Sequence, residues 1–456
     1  MASRPDVVDR LREVVGQQVI VDPDVIASYT TDWTGRFAGR SAAVVRPAST
    51  EEVAGVVLVC RELGINLVPQ GGNTGLVGGG VPLRDEVVLS LGRLQALGAV
   101  DTLAGQITAG AGVTLSALQE AADAAGWAYG LDLASRDSAT VGGMVATNAG
   151  GTHVLRYGDT RAQVLGVEAV LGTGTVVSHL GGMIKDNTGY HLPGLICGSE
   201  GTLAVVTASR LRLVPSMRYR TVAVLAFTSV SQALRASTTF RMSLPSLEAC
   251  ELFLSSGLEL VCSLTGMPTP FRDLYPVYLL IQAADLTDPT DALGEVSRSI
   301  DDVIDSVVAA DPSRRAALWR YREAHPEAIN TLGPPHKLDV TLPLGRLAEF
   351  IDHVPSEVRA IAPKARTWLF GHAGDGNIHV NVSGLAPDDD RVDERVLTMV
   401  GERGGSISAE HGIGTAKKRW LHLSRTAAEI SAFRDIKRAL DPDGVLNPNV
   451  LLPTTN

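Results

Sequence analysis

Three separate glycine-rich segments in the first half of the chain constrain its fold more than any other feature. Glycine lets a backbone adopt positive φ angles and approach a ligand closely. Three such segments in one domain predict a single elongated ligand that is lined by backbone. The glycines are Gly71, Gly72, Gly75, Gly78, Gly79 and Gly80, then Gly142, Gly143, Gly150 and Gly151, then Gly198 and Gly201.

Short β-branched runs alternate with helical patterns from about residue 43 to residue 214. The pattern predicts a strand at residues 43–46, a helix from Ser49 to Leu63 and a strand at residues 66–69. Ser49 is a good helix N-cap, and Gly64 is suited to the position after the last helical turn. This alternation indicates packed α/β structure.

After Pro215 the pattern changes to longer helical stretches, which we predict at residues 288–310 and 314–331. Strand-like runs follow the same boundary, at residues 222–227, 277–282 and 367–370. We therefore predict two domains, 1–215 and 216–456. A chain of 456 residues is also too long for one hydrophobic core.

Composition excludes several classes of function. The net charge of −10 disfavours binding to a phosphate backbone, so nucleic acid is not an expected partner. The cysteines are scattered without a C-x-x-C pair, which excludes a disulfide framework, a thiolate zinc site and an iron–sulfur cluster, and favours a reducing, cytoplasmic location. They are Cys60, Cys197, Cys250 and Cys262.

No apolar run approaches the roughly 20 residues that span a bilayer, so we expect a soluble protein without a transmembrane segment. Residues 5–15 mix acidic and basic side chains and lack the apolar core of a signal peptide. We predict an ordinary amphipathic helix there.

The first glycine-rich segment, Pro69 to Gly80, follows a predicted strand. Its backbone N–H groups could form a nest for a pyrophosphate, although a solvated glycine-rich turn has the same composition. A rival dinucleotide motif begins at Gly110 and Gly112, but Leu115 stands where the third glycine belongs. We interpret that motif as a turn that opens a helix.

Two histidines in the second half are candidate metal ligands. Strands at residues 367–370 and 378–382, joined by a turn at 374–377, would bring His372 and His379 to one end of a hairpin. Together with Glu410 they form a His₂Glu set, which suits zinc with open positions or ferrous iron. The alternative is that each histidine is only hydrogen-bonded structure. Asp375 is interpreted as turn chemistry.

The segments 69–80, 131–151 and 185–203 resemble, in order and spacing, the FAD domain of the vanillyl-alcohol oxidase/p-cresol methylhydroxylase (PCMH) superfamily. The similarity is greatest to its D-2-hydroxyglutarate and D-lactate dehydrogenase branch, whose members resemble the flavin-carrying chain of glycolate oxidase. It implies an α+β fold: a PCMH-type FAD-binding domain of two α/β subdomains, then an FAD-linked oxidase C-terminal domain that forms the substrate cap. The tail, residues 440–456, is expected to return to the flavin.

The resemblance also implies which residues bind FAD. Asn73 stands where covalent members of the superfamily often have a histidine, so the flavin is expected to be non-covalent. The implied FAD-binding residues are Pro69, Gly71, Gly72, Asn73, Thr74, Gly75, Gly78, Ser138, Thr140, Gly142, Gly143, Thr147, Asn148, Gly201, Val205 and Asn447.

In the second half, the resemblance implies that His372, His379 and Glu410 hold a divalent metal, with Zn²⁺ preferred. It further implies that His411 is the general base and a substrate contact. Substrate contacts are also implied for Asn381 and for the carboxylate-binding pair Arg322 and Lys337.

The chain departs from the 2-hydroxyglutarate pattern at Pro326, where that branch has a hydroxyl residue; His325 precedes it. Pro326 therefore leaves the identity of the 2-hydroxy acid substrate open.

The function implied is oxidation of a small anionic D-2-hydroxy acid to the 2-oxo acid, with hydride transfer to flavin N5. Reduced flavin then needs a separate electron acceptor: an electron-transfer protein, a quinone or oxygen. Two alternatives remain, a flavin-dependent transferase like alkylglycerone phosphate synthase and a flavin-carrying subunit of a glycolate-oxidase-like complex. The resemblance is compatible with a homodimer.

Overall fold

The computed structural model describes residues 4–453, which divide into two compact units. The first unit comprises the described residues up to 151, residues 157–216 and residues from 410 onward. The second unit comprises residues 152–156 and 217–409. In the part of the chain that the structure describes, no helix combines the length and the hydropathy that crossing a membrane requires.

The first unit contains two four-stranded sheets and a two-stranded ribbon. One sheet has the order β1-β2-β4-β3 and is parallel except for the β1/β2 pair. The other has the order β5-β9-β7-β8 and is antiparallel, and β10 pairs with β6. The strands are β1 (Val19–Ile20), β2 (Val44–Val45), β3 (Leu67–Gln70), β4 (Val87–Ser90), β5 (Gln106–Gly110), β6 (Trp127–Ala128), β7 (Val164–Leu171), β8 (Val176–His179), β9 (Ala204–Arg212) and β10 (Val214–Pro215).

Helices accompany both sheets, and α6 contains one of the boundaries between the units, since its residues up to Arg156 belong to the second unit. The helices are α1 (Arg4–Val15), α2 (Pro23–Thr30), α3 (Thr50–Leu63), α4 (Leu115–Ala124), α5 (Val141–Thr147), α6 (Val154–Tyr157), α7 (Thr160–Gln163), α8 (Leu192–Ile196), the 3₁₀ helix Lys418–Leu423 and α16 (Ala427–Leu440).

Helix α3 forms as the sequence predicts. Ser49 accepts a hydrogen bond from the Glu52 N–H group, and Gly64 ends the helix in the left-handed conformation. The helix buries a valine-rich face in the core of the first unit. The predicted N-terminal helix and the helix after Gly112 are also confirmed, as α1 and α4.

The second unit is built on one antiparallel seven-stranded sheet with the order β14-β11-β13-β12-β16-β17-β15. Its strands are β11 (Tyr219–Phe227), β12 (Leu247–Leu254), β13 (Val277–Asp285), β14 (Asp305–Ala309), β15 (His336–Thr341), β16 (Arg366–His372) and β17 (Asn377–Ser383). Its helices are α9 (Val230–Ser243), α10 (Ser255–Thr265), α11 (Thr290–Arg298), α12 (Pro312–Glu323), α13 (His325–Asn330), α14 (Leu344–Ile361) and α15 (Arg391–Glu402).

Both long helices predicted after residue 215 need correction. The first ends at Arg298, and the valine-containing segment Asp305–Ala309 is instead an edge strand paired with β11. Tertiary pairing decides here, because β-branched valines suit a pleated sheet surface better than a helix. The second stretch is two helices, α12 and α13, since a proline at position 326 cannot continue a helix but starts a new one.

The core of the second unit is aromatic where β12, β13 and β16 adjoin. The rings of Phe253 and Tyr278 stack with centroids 5.3 Å apart, and Phe370 and Trp368 belong to the same cluster. Stacked aromatic side chains bury large areas and hold a rigid shape. This packing fixes the positions of β12, β13 and β16.

Two glycine substitutions should have opposite effects on stability. Gly64 has φ +65° with open space around it, so Gly64→Ala should lower the unfolding free energy by about 1 kcal/mol through backbone strain alone. Gly345 has equally open space but lies within helix α14 without a positive φ, so Gly345→Ala should raise it by up to about 1 kcal/mol. Denaturant unfolding measures both; a loss of stability in both variants contradicts the assignment.

Candidate active site

A cavity with about 1030 Å³ of empty space, part of it open to solvent, lies in the first unit where the three glycine-rich segments meet. Most of the residues that the sequence implies for FAD line this cavity. They are Pro69, Gly71, Gly72, Asn73, Thr74, Gly75, Thr140, Gly142, Gly143, Thr147, Gly201, Val205 and Asn447.

The glycines of the first segment serve two different purposes. A Cβ at Gly72 would lie 1.8 Å from the Ser138 carbonyl oxygen, and one at Gly71 would lie 2.3 Å from Thr140 Oγ1. These glycines let the first segment pack directly against the second. Gly75, by contrast, has nothing within 4 Å of an added Cβ and lines the cavity itself. It leaves space that a bound group can occupy.

Three residues implied for FAD do not line the cavity. Gly78 has φ +70° and packs against the ring of Phe37, and Ser138 offers its carbonyl side to Gly72. Asn148 ends helix α5 in the left-handed conformation, and its amide donates a hydrogen bond to Asp159. In these positions the residues support the shape of the loops around the cavity.

Glu200 is a cavity residue that the sequence reasoning missed. It is buried, and its carboxylate accepts hydrogen bonds from the N–H groups of Ile413 and Gly414, each at 2.7 Å. Burial raises the pKa of Glu200, while these hydrogen bonds oppose the rise. The carboxylate holds the loop that carries His411, which lines the same cavity. An acidic residue within the third glycine-rich segment was the available signal.

The tail of the chain also reaches the cavity. Asn447 has φ +39°, and its side-chain amide donates hydrogen bonds to the carbonyl oxygens of Gly79 and Glu200, at 3.0 and 2.7 Å. One amide therefore joins the first and third glycine-rich segments. Asp441, at the start of the tail, accepts hydrogen bonds from the N–H groups of Val445 and Leu446.

In the second unit, the predicted hairpin is confirmed as β16 and β17. His379 pairs with Phe370 in the strand register, and the ring centroids of His372 and His379 are 5.4 Å apart. Asp375 accepts a hydrogen bond from the Asn377 N–H group within the turn. The hairpin thus brings both histidines to one end, as predicted.

Each of these histidines has a buried carboxylate partner that the sequence did not reveal. His372 Nδ1 lies 2.7 Å from Glu251 Oε1, and His379 Nδ1 lies 3.5 Å from Asp339 Oδ1. Metal-binding histidines commonly have such a carboxylate on the second ring nitrogen. Imidazole and carboxylate donors of this kind suit a divalent metal. Asp339 and His379 in the second unit are close enough to share one ion, and so are Glu410 and His411 in the first. Among the described residues, His372 is not part of that set of donors, and Asp339 is a candidate that the sequence did not reveal.

The predicted carboxylate-binding cations lie on different elements of the second unit. Arg322 on α12 is 8% exposed, lies 2.9 Å from Glu251 through its Nε atom, and packs over the Phe370 ring at 4.6 Å. Lys337 on β15 is opposite Asn381 on β17. Burial lowers the pKa of Lys337. The structure therefore joins Arg322 to His372 through Glu251, and Lys337 to Asn381 through the sheet.

His325 is buried between aromatic rings next to Pro326. Its Nδ1 atom is 3.1 Å from the Arg322 carbonyl oxygen, and its ring centroid is 4.9 Å from that of Phe370. Burial lowers the pKa of His325 to about 3, so the ring is neutral at physiological pH. It contributes volume rather than charge beside Arg322.

A glycine-lined cavity in an α/β unit, in a chain that also has a large antiparallel sheet with histidines, is typical of an FAD-binding oxidoreductase. Residues 41–179 match the model of the FAD binding domain, and residues 216–451 match that of the FAD linked oxidases, C-terminal domain. The chain belongs to the FAD-linked oxidases.

Relatives match over almost the whole chain. It is 37% identical over 455 residues to the mitochondrial D-2-hydroxyglutarate dehydrogenase of Bos taurus, covering 97% of this chain and 83% of that one. It is 35% identical over 464 residues to D-2-hydroxyglutarate dehydrogenase of Xanthomonas citri pv. viticola, covering 99% and 97%. The solved structure of p-cresol methylhydroxylase with substrate bound has a TM-score of 0.79 at 16% identity, covering 99% and 97%, and shows the shared fold.

Gly75→Val should empty the cavity of FAD without unfolding the apoprotein. The added side chain has no protein atom near its Cβ but occupies the cavity, so we expect FAD affinity to fall by at least about tenfold. Gly345→Val, equally uncrowded but outside the cavity, is the matched control. Flavin absorbance after gel filtration and apoprotein melting temperature are the measurements. Equal flavin retention in both variants would show that Gly75 does not face the cofactor.

Proposed function

We propose that this protein is an FAD- and metal-dependent dehydrogenase that oxidises a D-2-hydroxy acid, either a 2-hydroxyglutarate-like diacid or a lactate-like monoacid, to the 2-oxo acid. The observation that carries the proposal is the cluster of Arg322, Glu251 and His372 in a chain related to D-2-hydroxyglutarate dehydrogenases over its full length. A buried arginine beside candidate metal ligands suits a substrate that is both an anion and an alcohol.

The proposed metal ligands are His372, His379 and Glu410, and the metal is Zn²⁺. Support comes from the two adjacent imidazoles and their carboxylate partners within the second unit. Glu410, the third ligand, follows from the family resemblance. A bound metal supplies Lewis acidity, which lowers the pKa of a substrate hydroxyl.

The remaining chemistry belongs to side chains of this chain. His411 would take the proton of the substrate hydroxyl, and FAD held in the cavity of the first unit would supply the acceptor for the C2 hydride, so that one proton and one hydride account for the two hydrogens that the alcohol loses. Arg322 and Lys337 hold the carboxylates of the substrate, and Asn381 contacts it beside Lys337. Glu200 holds the backbone that follows His411.

Turnover would also need a separate electron acceptor, which we propose is an electron-transfer protein, a quinone or oxygen. The flavin itself is held non-covalently, since Asn73 supplies no histidyl linkage; its amide donates a hydrogen bond to the Thr31 carbonyl oxygen. A cytoplasmic location and a homodimer stay predictions from the sequence.

Substrate class is tested by anaerobic bleaching of the flavin with D- and L-2-hydroxy acids. We expect bleaching by D-2-hydroxyglutarate or D-lactate and none by the L-enantiomers. If Arg322 binds a distal carboxylate, Arg322→Ala should lower kcat/KM for the diacid by well over tenfold, because truncating one partner of a buried charge pair costs about 2–5 kcal/mol. The loss of kcat/KM for D-lactate should be much smaller. Arg320→Ala, an exposed arginine of the same helix, is the matched control.

The outcomes of this experiment distinguish the role of Arg322 and the three candidate functions. Equal losses for diacid and monoacid in Arg322→Ala would assign Arg322 to the C1 carboxylate and refute the distal-carboxylate role. No bleaching by any hydroxy acid would overturn the dehydrogenase and favour the alkylglycerone phosphate synthase-like transferase. Bleaching only in the presence of co-purifying chains would favour the subunit of a glycolate-oxidase-like complex.

Metal content tests the ligand assignment. We expect about one zinc per chain in the purified protein and loss of most of it in His379→Ala, because two imidazoles and a carboxylate form the usual open zinc site. His353→Ala removes an exposed histidine of α14 and should leave the metal content unchanged. Elemental analysis of the three proteins is the measurement, and equal metal content in all three refutes the assignment.

A further inference from the structure

We propose that Glu251 is a positioning residue that couples the metal-binding end of the site to its carboxylate-binding end. The inference rests on the proposed function and deepens it, since it names the group through which His372 and Arg322 act together. No feature of the sequence pointed to Glu251, which stands within the largely apolar strand β12.

Glu251 lies directly opposite His372 in the antiparallel pair of β12 and β16. Its side chain is 1% exposed. One carboxylate oxygen, Oε1, is 2.7 Å from His372 Nδ1, and the other, Oε2, is 2.9 Å from Arg322 Nε. A single carboxylate therefore spans the two groups, one oxygen to each.

The contact at Oε1 selects one tautomer of His372. A carboxylate only accepts hydrogen bonds, so Nδ1 must carry the proton. Nε2 of the neutral ring then presents its lone pair, which is the form of imidazole that binds a metal. Glu251 thus prepares His372 as an Nε2 ligand before any ion arrives.

The contact at Oε2 holds Arg322 by charge. Oε2 lies 2.9 Å from Nε, and since neither atom has a hydrogen-bond partner among the described residues, the contact is an ion pair. We assign the two terminal nitrogens of the guanidinium group to a substrate carboxylate, which they can hold with two parallel hydrogen bonds. The Phe370 ring beneath the guanidinium group, at 4.6 Å, restrains the same plane. A shift of Glu251 would therefore move both His372, a proposed metal ligand, and Arg322, the proposed carboxylate-binding residue.

The charges around Glu251 are consistent with this role. Arg322 is a permanent cation whose Nε lies 2.9 Å from Glu251 Oε2, and both side chains are almost fully buried. The negative charge of Glu251 offsets the cost of burying the guanidinium group.

The same strand offers a matched control in Glu248. This glutamate is also 1% exposed, and it pairs with Arg220 at 3.0 Å and accepts a hydrogen bond from Gln282 at 2.7 Å. Glu248→Gln and Glu251→Gln therefore remove the same charge, from equally buried positions, beside an arginine in each case. Only Glu251 contacts His372.

The experiment compares both variants with the native holoenzyme by two measurements. Zinc affinity is obtained by chelator competition, and KM for D-2-hydroxyglutarate is obtained alongside kcat. We expect Glu251→Gln to weaken zinc binding by about 10–100-fold, the usual effect of losing a carboxylate partner of a metal ligand. It should also raise the KM for the diacid by roughly tenfold. Glu248→Gln should stay within about twofold of the native protein in both measurements.

Zinc affinity equal to native in Glu251→Gln, in a native protein that binds zinc tightly, overturns the proposal. A parallel loss in Glu248→Gln also overturns it, because the effect would then be general destabilisation of β12. A rise in KM without a change in zinc affinity removes the coupling and leaves Glu251 only as a partner of Arg322.

A third measurement separates failure of this proposal from failure of the proposed function and needs no variant. The ¹⁵N shifts of the His372 ring in the native, metal-free protein report its tautomer. Protonation at Nδ1 supports the role of Glu251 even if the protein binds no zinc. Protonation at Nε2 refutes that role even if the protein binds zinc. This readout also decides the matter if Glu251→Gln does not fold.

Discussion

The cavity of the first unit depends on two backbone segments approaching more closely than any side chain would allow. Gly71 and Gly72 place their backbone directly against Thr140 and the Ser138 carbonyl oxygen, so a single methyl group would separate the two loops. This contact brings the peptide groups of separate loops to one cavity. Asn447 then ties the first loop to the third through two hydrogen bonds from one amide. Backbone packing, more than any single side chain, shapes this cavity.

Buried carboxylates hold the candidate site residues of both units in position. Glu200 holds the loop after His411 through two backbone N–H groups, and Glu251 and Asp339 each lie beside a histidine of the second unit. A buried carboxylate is costly unless it is paired, so each of these groups lies where hydrogen bonds or positive charge offset that cost. The cost of breaking a pair also keeps the partners in place. Rigid positioning of this kind suits the proposed removal of a proton and a hydride from one substrate.

Local sequence signals predicted the helices and hairpins whose formation depends on interactions between neighbouring residues. Helix α3 has its cap at Ser49 and its left-handed end at Gly64 because those side chains act within one helical turn. The hairpin that carries His372 and His379 follows from a turn-forming segment between two strand-like runs. The predicted helix through residues 288–310 is wrong in its second half, since pairing with β11 draws Asp305–Ala309 into the sheet. The signal for that pairing lies some eighty residues away, in β11.

By itself, the sequence determined the chemical types present: glycines where backbone must approach closely, two histidines on one hairpin, and cations within an acidic chain. Family resemblance added which of them belong to one reaction. Only the tertiary structure decided the partners of these groups. Glu251 and Asp339 stand in strands like any other buried residue, and the packing of β12 and β15 within the sheet brings each to its histidine. Such contacts join residues far apart along the chain, and the free energy of pairing a buried charge depends on distances that no local pattern encodes.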